Sequence, residues 1–303
     1  MNEQPSRISI IFPNWNGKDD TIECLNSLRK QKYPKKELEI IIVDNGSIDG
    51  SLGAINTLFD EMKNEEWFNL KLIKNKENLG PCIARNKGIM VAHKESKYIW
   101  MLDNDVVVDS EALIELVNLL ENHKKIGIVS SVNYYYNYPE EIYYIGNILN
   151  WSTWIFKNIE NKHVIKSNAY SIDCVATSSL LIRKSVIKEI GLLDTAYFCY
   201  FNDVDWCIRA KKAGYKILSV LTSKVWHKVS KSTKKVSGFK IYYSMRNLII
   251  LIKKNATAQK YRFFLIYLFI YFLPRNLLSI ISQKNIIILK SFLKGLKDGL
   301  FFR

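Results

Sequence analysis

The chain has 303 residues, 48% of them hydrophobic, and carries 44 Lys and Arg against 29 Asp and Glu. That apolar content supports one large core and excludes a disordered chain. Five cysteines (Cys24, Cys82, Cys174, Cys199 and Cys207), an odd set without a CxxC pair, argue against a disulfide framework and a zinc cluster and point to reduced thiols in the cytoplasm.

From the N-terminus, "ISIIF" after Arg7 is an apolar run of five residues, too short for a signal peptide, so no export is expected. Strands are predicted over 8–12, 38–44, 70–74, 98–103 and 126–132, and helices over 19–30, 52–62, 80–93 and 110–123. This alternation implies βαβ units: an α/β fold with a doubly wound, mostly parallel sheet and helices on both faces. Ligands of such sheets bind at the carboxyl ends of the strands. There the sequence places three polar clusters, "PNWNG", "DNGSIDGS" and "DND". Neither GxGxxG nor GxxxxGK[ST] occurs, so a Rossmann dinucleotide site and a P-loop are unsupported.

Asp44 ends the second strand, so its carboxylate is expected to be fixed at the sheet's rim and able to accept hydrogen bonds from a base or ribose; an ordinary βα turn capped by Asp49 or Ser51 is the plainer alternative. Asn78 and Gly80 precede a helix start, with Arg85 a turn further on. In "LDNDVVVD", Asp103 and Asp105 leave an apolar strand together. Two crowded carboxylates favour a hard divalent cation, Mg²⁺ or Mn²⁺, able to grip a diphosphate; a solvated acidic turn is the alternative. In "YFNDVDWCIRA", Asp203 and Asp205 open a predicted helix, where acidic residues are favoured by the helix dipole alone. His227 on its own reads more readily as a structural histidine than as a ligand.

Residues 228–303 hold 16 Lys and Arg against one acid, Asp298, so the net charge of +15 lies in this tail and residues 1–227 are neutral. Basic residues interleaved with apolar runs such as "FFLIYLFIYFLP" suit an anionic lipid surface and not nucleic acid. The longest uninterrupted apolar run, 263–274, has 12 residues between Arg262 and Arg275. Spanning a bilayer takes about 20. An interfacial helical segment is therefore expected, with packing on the catalytic domain or on a second subunit, and a true span, as the alternatives.

"VDNGSIDGS", "NLGPCIARNKG", "LDNDV", "FNDVDWCIRAKKAGY" and "WH" followed by "YYSMRN" occur in the order and spacing of family 2 inverting glycosyltransferases. The chain most resembles the branch of bacterial rhamnosyltransferases and galactofuranosyltransferases, over roughly residues 7–255. The resemblance implies a GT-A fold, with a nucleotide-binding half about 1–125 and an acceptor half about 126–238; composition alone sets apart the basic segment 239–303. It implies that Pro13, Asn14, Asn16, Asp44, Asn78, Gly80, Arg85 and Asp103 bind the nucleotide, and that Asp105, Asp103 and His227 bind Mn²⁺ or Mg²⁺. Asp203 is then the catalytic base, with Asp205, Asn202 and the flat face of Trp206 supporting the acceptor. Many relatives carry Glu at the position of Asn202 and Gly at that of Ser230, which puts acceptor identity in question.

The implied reaction moves a sugar from dTDP-rhamnose or a UDP-hexose to a glycan, on a polyprenyl diphosphate if the basic segment brings the enzyme to the inner face of the cell membrane. The basic segment also allows oligomerisation, and no nucleic-acid partner is implied. Two other classes are weighed. A sugar nucleotidyltransferase should open with a Gly-rich basic loop, which "FPNWNGKDD" is not. A non-catalytic membrane-associated binding module leaves the alignment of Asp44, Asp103, Asp105 and Asp203 without a reason.

Overall fold

The computed structural model describes residues 4–151, 153–159, 168–228, 238–282 and 285–302; Ser230 lies outside them. The first half alternates β1 (Ile8–Asn14), α1 (Lys18–Leu28), β2 (Leu38–Asp44), α2 (Ser51–Met62), β3 (Asn69–Lys74), α3 (Gly80–Val91) and β4 (Tyr98–Leu102). β1 pairs in parallel with β2 and β4, and β2 with β3. The register sets Asn14 beside Asp44 and Asp44 beside Lys74, so the polar ends of these strands form one edge. Ile8, Ile10 and Phe12 point into a core shared with α1, α2 and α4, while Ile11 points into one shared with α3, α5 and α6. The period of two thus buries both faces of the sheet.

The second half runs β5 (Val106–Val108), α4 (Ala112–Asn122), β6 (Ile126–Tyr135), β7 (Ile142–Tyr144), β8 (Asn147–Asn150), β9 (Ile155–Asn158), β10 (Ala169–Ile172), β11 (Ser179–Arg183), α5 (Lys184–Ile190), α6 (Asn202–Lys212) and β12 (Lys216–His227). The sheet order is β10-β12-β6-β11-β4-β1-β2-β3. The mostly parallel sheet expected is parallel up to β4 and then becomes mixed. β11 is antiparallel to both β4 and β6. Among the described residues the chain between β6 and β11 passes through short strands without a crossover helix, and a parallel return needs such a crossover. The result is a mixed α/β sheet.

Beyond β12 lie α7 (Phe239–Asn255), α8 (Ala258–Tyr267), a π turn (Leu268–Phe272), α9 (Leu273–Ser282) and α10 (Ile286–Leu300). Met245, Ile249 and Ile252 of α7 pack in a core that includes Leu149, Trp154, Tyr197 and Ile208. The start of the basic segment is thus built onto the body of the protein. α10 lies against α7 at two glycines: a Cβ at Gly295 would come within 2.5 Å of Tyr242 O, and one at Gly299 within 2.9 Å of Arg246 O.

Between them, Ala258–Ser282 forms one helix of 25 residues, long and apolar enough by length and composition to cross a membrane. The apolar run counted from sequence stopped at Pro274 and Arg275, yet the helix continues through both. A π turn just ahead of Pro274 accommodates the missing N–H and the ring. Ile270 and Leu278 are among its most exposed side chains, at 74% and 71%.

Candidate active site

Asp44 is fixed at the edge of the parallel strands, but protein donors already engage its carboxylate there. It is fully buried; Asn14 Nδ2 donates to one oxygen at 2.7 Å and Ser47 N to the other at 2.9 Å. Asn14 Oδ1 in turn accepts from Thr21 and Asn104. Asn16, in the left-handed region at φ 49°, accepts from Ile48 N, and Pro13 lies opposite Val43 in the strand register. Asp44 therefore shapes the rim loops, and only its remaining lone pairs can meet a ligand.

Asn45, which the sequence did not single out, carries that order to the next loop. Its amide donates toward Asn78 Oδ1 and Gly80 O, and it accepts from Asn75 at 2.7 Å. Asn78 Oδ1 caps Gly80 N at 2.9 Å. Gly80 sits at φ +81°, and a Cβ there would lie 2.7 Å from the Phe198 ring, so both backbone angle and space require glycine.

Arg85, from the next turn of α3, is buried and ion-paired with Asp103. Asp103 and Asp105 follow β4, and β12 returns antiparallel to β5 so that His227 faces Val106. This long-range pairing places His227 Nε2 3.1 Å from Asp105 Oδ1 and 4.0 Å from Asp103 Oδ2. One ligand atom from each of the three residues lies within 4.8 Å of the others. Burial pushes the Asp105 carboxyl up, but the hydrogen bond and charge of His227 outweigh it and hold the group below the ordinary range. Burial likewise opposes the His227 imidazolium, and the Asp105 hydrogen bond with the charges of Asp105 and Asp103 overcomes it, raising the pKa. His227 Nδ1 is buried without a partner among the described residues. Two carboxylates and an imidazole form a donor set that fits Mn²⁺ or Mg²⁺.

Asp203 stands in the first turn of α6, partly buried. Burial raises its carboxyl, Val204 N at 2.9 Å and the Arg85 charge lower it, and the Asp103 charge raises it, leaving the pKa above the ordinary value. The helix is entered through Tyr200 and Phe201, two consecutive non-glycine residues at φ 58° and 64°. Such a conformation costs roughly 1 kcal/mol or more per residue and persists only where the surroundings enforce it. The enforcing group is Asn247 of α7, fully buried, whose Nδ2 donates to Cys199 O at 2.7 Å and Tyr200 O at 3.2 Å. Arg246 Nη1 braces both Asn247 Oδ1 and Ala196 O.

Asn202, also buried, keeps an Nδ2 without a partner among the described residues, one donor for a polar ligand. Asp205 is buried and committed to Arg209 Nε and Asn255 Nδ2, both at 2.8 Å, so it ties α6 to α7. Trp206 corrects the expectation of a sugar-facing ring: it is fully buried, and its Nε1 donates to Gly191 O at 2.9 Å. Trp206 packs in the core that α6 shares with α3 and α5.

The glycosyl transferase family 2 model, "Glycosyl transferase family 2", matches residues 9–191. "Glycosyltransferase AglE" of Haloferax volcanii is 27% identical over 213 residues, which span 69% of this chain and 63% of that relative, less than two thirds of its length. Among solved structures, GalNAc-T7 with UDP, GalNAc and Mn²⁺ superposes with a TM-score of 0.64 at 19% identity, covering 83% of this chain and 48% of that one. S. aureus TarS 1–349 in complex with UDP-GlcNAc gives 0.63 at 18% identity, covering 97% and 80%. The parallel strand edge, the Asp103–Asp105–His227 cluster and the family match agree, and the chain belongs to glycosyl transferase family 2 with a GT-A fold.

Proposed function

We propose that the chain is an inverting, metal-dependent glycosyltransferase that moves a sugar from a nucleotide-diphosphate donor to a hydroxyl of a glycan acceptor. The observation that carries this reading is the placement of Asp203. A carboxyl group raised by burial lies within electrostatic reach of both Arg85 and Asp103, yet belongs to none of the ion pairs among the described residues. In this reading Asp203 removes the acceptor proton as the hydroxyl oxygen attacks the anomeric carbon. The new C–O bond forms on one face while the bond to the diphosphate breaks on the other, the electron pair leaving with the diphosphate and the configuration inverting.

Asp103, Asp105 and His227 would hold Mn²⁺ or Mg²⁺, which when bound would supply positive charge to the departing diphosphate. Pro13, Asn14, Asn16, Asp44, Asn78, Gly80, Arg85 and Asp103 shape the nucleotide pocket, Arg85 fixing Asp103 at its edge. The unpartnered Asn202 amide meets the acceptor, and Asp205 holds the helix that carries the base. Similarity to a structure with UDP-GlcNAc gives a UDP-hexose more support than dTDP-rhamnose, and the Mn²⁺ of GalNAc-T7 supports the metal assignment.

The unit 1–238 performs the transfer and 239–303 brings it to the inner face of the cell membrane, where a polyprenyl-diphosphate-linked glycan is the acceptor. The exposed apolar side chains of 258–282 and the charge of the tail support that placement. The test is nucleoside diphosphate release from UDP, dTDP and GDP sugars with Mn²⁺, in wild type and Asp203→Asn. Release by wild type that disappears in the variant supports the reading; equal release by both defeats the base assignment, and none from any donor defeats the reading.

A further inference from the structure

A cavity of about 250 Å³ opens between the first turn of α3, the segment leading to Tyr200, and α7. Its lining includes Leu79, Ile83, Thr195, Phe198, Tyr243 and Arg246, and none of the metal-type cluster. Phe198 and Tyr243 stack at 5.4 Å between ring centroids and 22° between planes, giving one wall a flat aromatic surface. Arg246 is the one charged residue in the lining, and no carboxylate joins it there.

The guanidinium is held in place from one end. Nη1 donates to Ala196 O at 2.9 Å and Asn247 Oδ1 at 2.7 Å, while Nε and Nη2 have no protein acceptor among the described residues. Three oriented N–H groups therefore remain on a fixed cation beside a flat apolar wall. A guanidinium fork matches two oxygens of a phosphate, and the wall suits whatever the phosphate is esterified to.

We infer that this cavity binds the phosphate of the acceptor, an assignment that rests for its biological meaning on the acceptor reading above. The cavity wall and the proposed base belong to one stretch of chain: Ala196 and Cys199, on either side of Phe198, are braced by the same Arg246–Asn247 pair that holds Tyr200 ahead of Asp203. A phosphate seated on Arg246 thus anchors the acceptor against the segment that delivers the base. The donor diphosphate already has the Asp103, Asp105 and His227 cluster, which the cavity does not touch.

Isothermal titration of the full-length protein in EDTA with inorganic pyrophosphate and with farnesyl diphosphate tests the site, because EDTA removes any metal-mediated binding at the cluster. Both ligands should bind wild type; equal affinity identifies free phosphate as sufficient, and tighter farnesyl diphosphate identifies a lipid-linked source. Arg246→Gln should weaken binding about tenfold or more, and Asp105→Asn should leave it unchanged. Since Arg246 also braces Ala196, Thr195→Glu provides a second variant at an exposed position, placing a repelling carboxylate at the rim with a similar loss expected. Displacement by UDP, binding of farnesol as tight as that of farnesyl diphosphate, insensitivity to both variants, or no binding at all overturns the assignment. None of these outcomes depends on turnover, so they are separable from failure of the Asp203 reading.

Discussion

Asn247 donates its side-chain amide to the backbone carbonyl of Tyr200 at 3.2 Å, and through it a helix in the C-terminal segment holds the turn that precedes Asp203. The same amide reaches Cys199 O, and the turn it grips is left-handed at two successive residues. Asn247→Ala removes both bonds and the Oδ1 acceptor that Arg246 Nη1 uses. A stability loss of about 1–3 kcal/mol is expected. If Asp203 is the base, turnover should fall by about 10–100-fold as the carboxylate shifts, with donor KM nearly constant. Steady-state kinetics alongside urea unfolding checks this; unchanged kcat at reduced stability would show that the turn is only structural.

Asp203→Asn should separate stability from activity. Because burial raises the Asp203 pKa above its unfolded value, the folded state binds a proton that the unfolded state has released. Stability is then lost as pH rises from the ordinary carboxylate pKa to the raised one, and the loss persists above it. The variant should therefore be at least as stable as wild type at neutral pH and should lose the pH dependence across that window. Its turnover should drop by roughly 10²–10⁴, and wild-type rate should decline as pH falls through the raised pKa.

Mn²⁺ binding should weaken as pH is lowered, because His227 must give up a proton to coordinate and Asp105 and Asp103 stabilise its protonated form. Calorimetric titration of Mn²⁺ across a pH series measures it. Asp105→Ala should abolish Mn²⁺-dependent donor binding, and EDTA should reproduce that effect in wild type. Full activity in EDTA would leave the cluster as a structural ion pair.

Ile270→Glu combined with Leu278→Glu should lower partition onto anionic vesicles by about tenfold or more without unfolding the protein, since both positions are largely exposed. Wild type should detach only partly as salt rises, because apolar contact is not screened. Equal flotation of the double variant and wild type with phosphatidylglycerol vesicles would remove the membrane role. Truncation at about residue 256 is a poorer test: it deletes α10, which packs on α7, and should itself destabilise the protein.

Trp206→Phe should cost about 1–3 kcal/mol through the lost Nε1–Gly191 hydrogen bond and the smaller ring. Acceptor KM should stay within about twofold, as expected for a core side chain. A large KM change at unaltered stability would restore the sugar-facing role.

The strand ends were legible because a β-rich run followed by Asn, Asp and Gly can only be a strand entering a turn, and these turns place Asn14, Asp44, Asp103 and Asp105 at one edge. What each carboxylate touches was not. Asp44 accepts from Asn14, 30 residues away, so burial and engagement followed from strand register that no local pattern contains. The ion pair of His227 with Asp105 depends on β12 returning beside β5, and before that only the motif order pointed to it. Trp206 was misread because an aromatic residue near two acids does not reveal which face of α6 is covered. The long helix was undercounted because an unbroken apolar run is a stricter criterion than helix continuity, and Pro274 is absorbed by a wider turn.

Gly295 and Gly299 give the molecule a clasp. Because α10 is locked backbone to backbone on α7, the helix 258–282 is secured at its far end as well as where it leaves the body. An appendage tethered once sweeps a volume, whereas one tethered twice keeps a nearly constant bearing relative to the catalytic strands. Any surface that engages Ile270 and Leu278 then meets the protein at one standing angle; if Asp203 is the base, an acceptor on that surface would reach it at a fixed height, and substituting larger residues at the two glycines would turn a rigid mount into a swinging one.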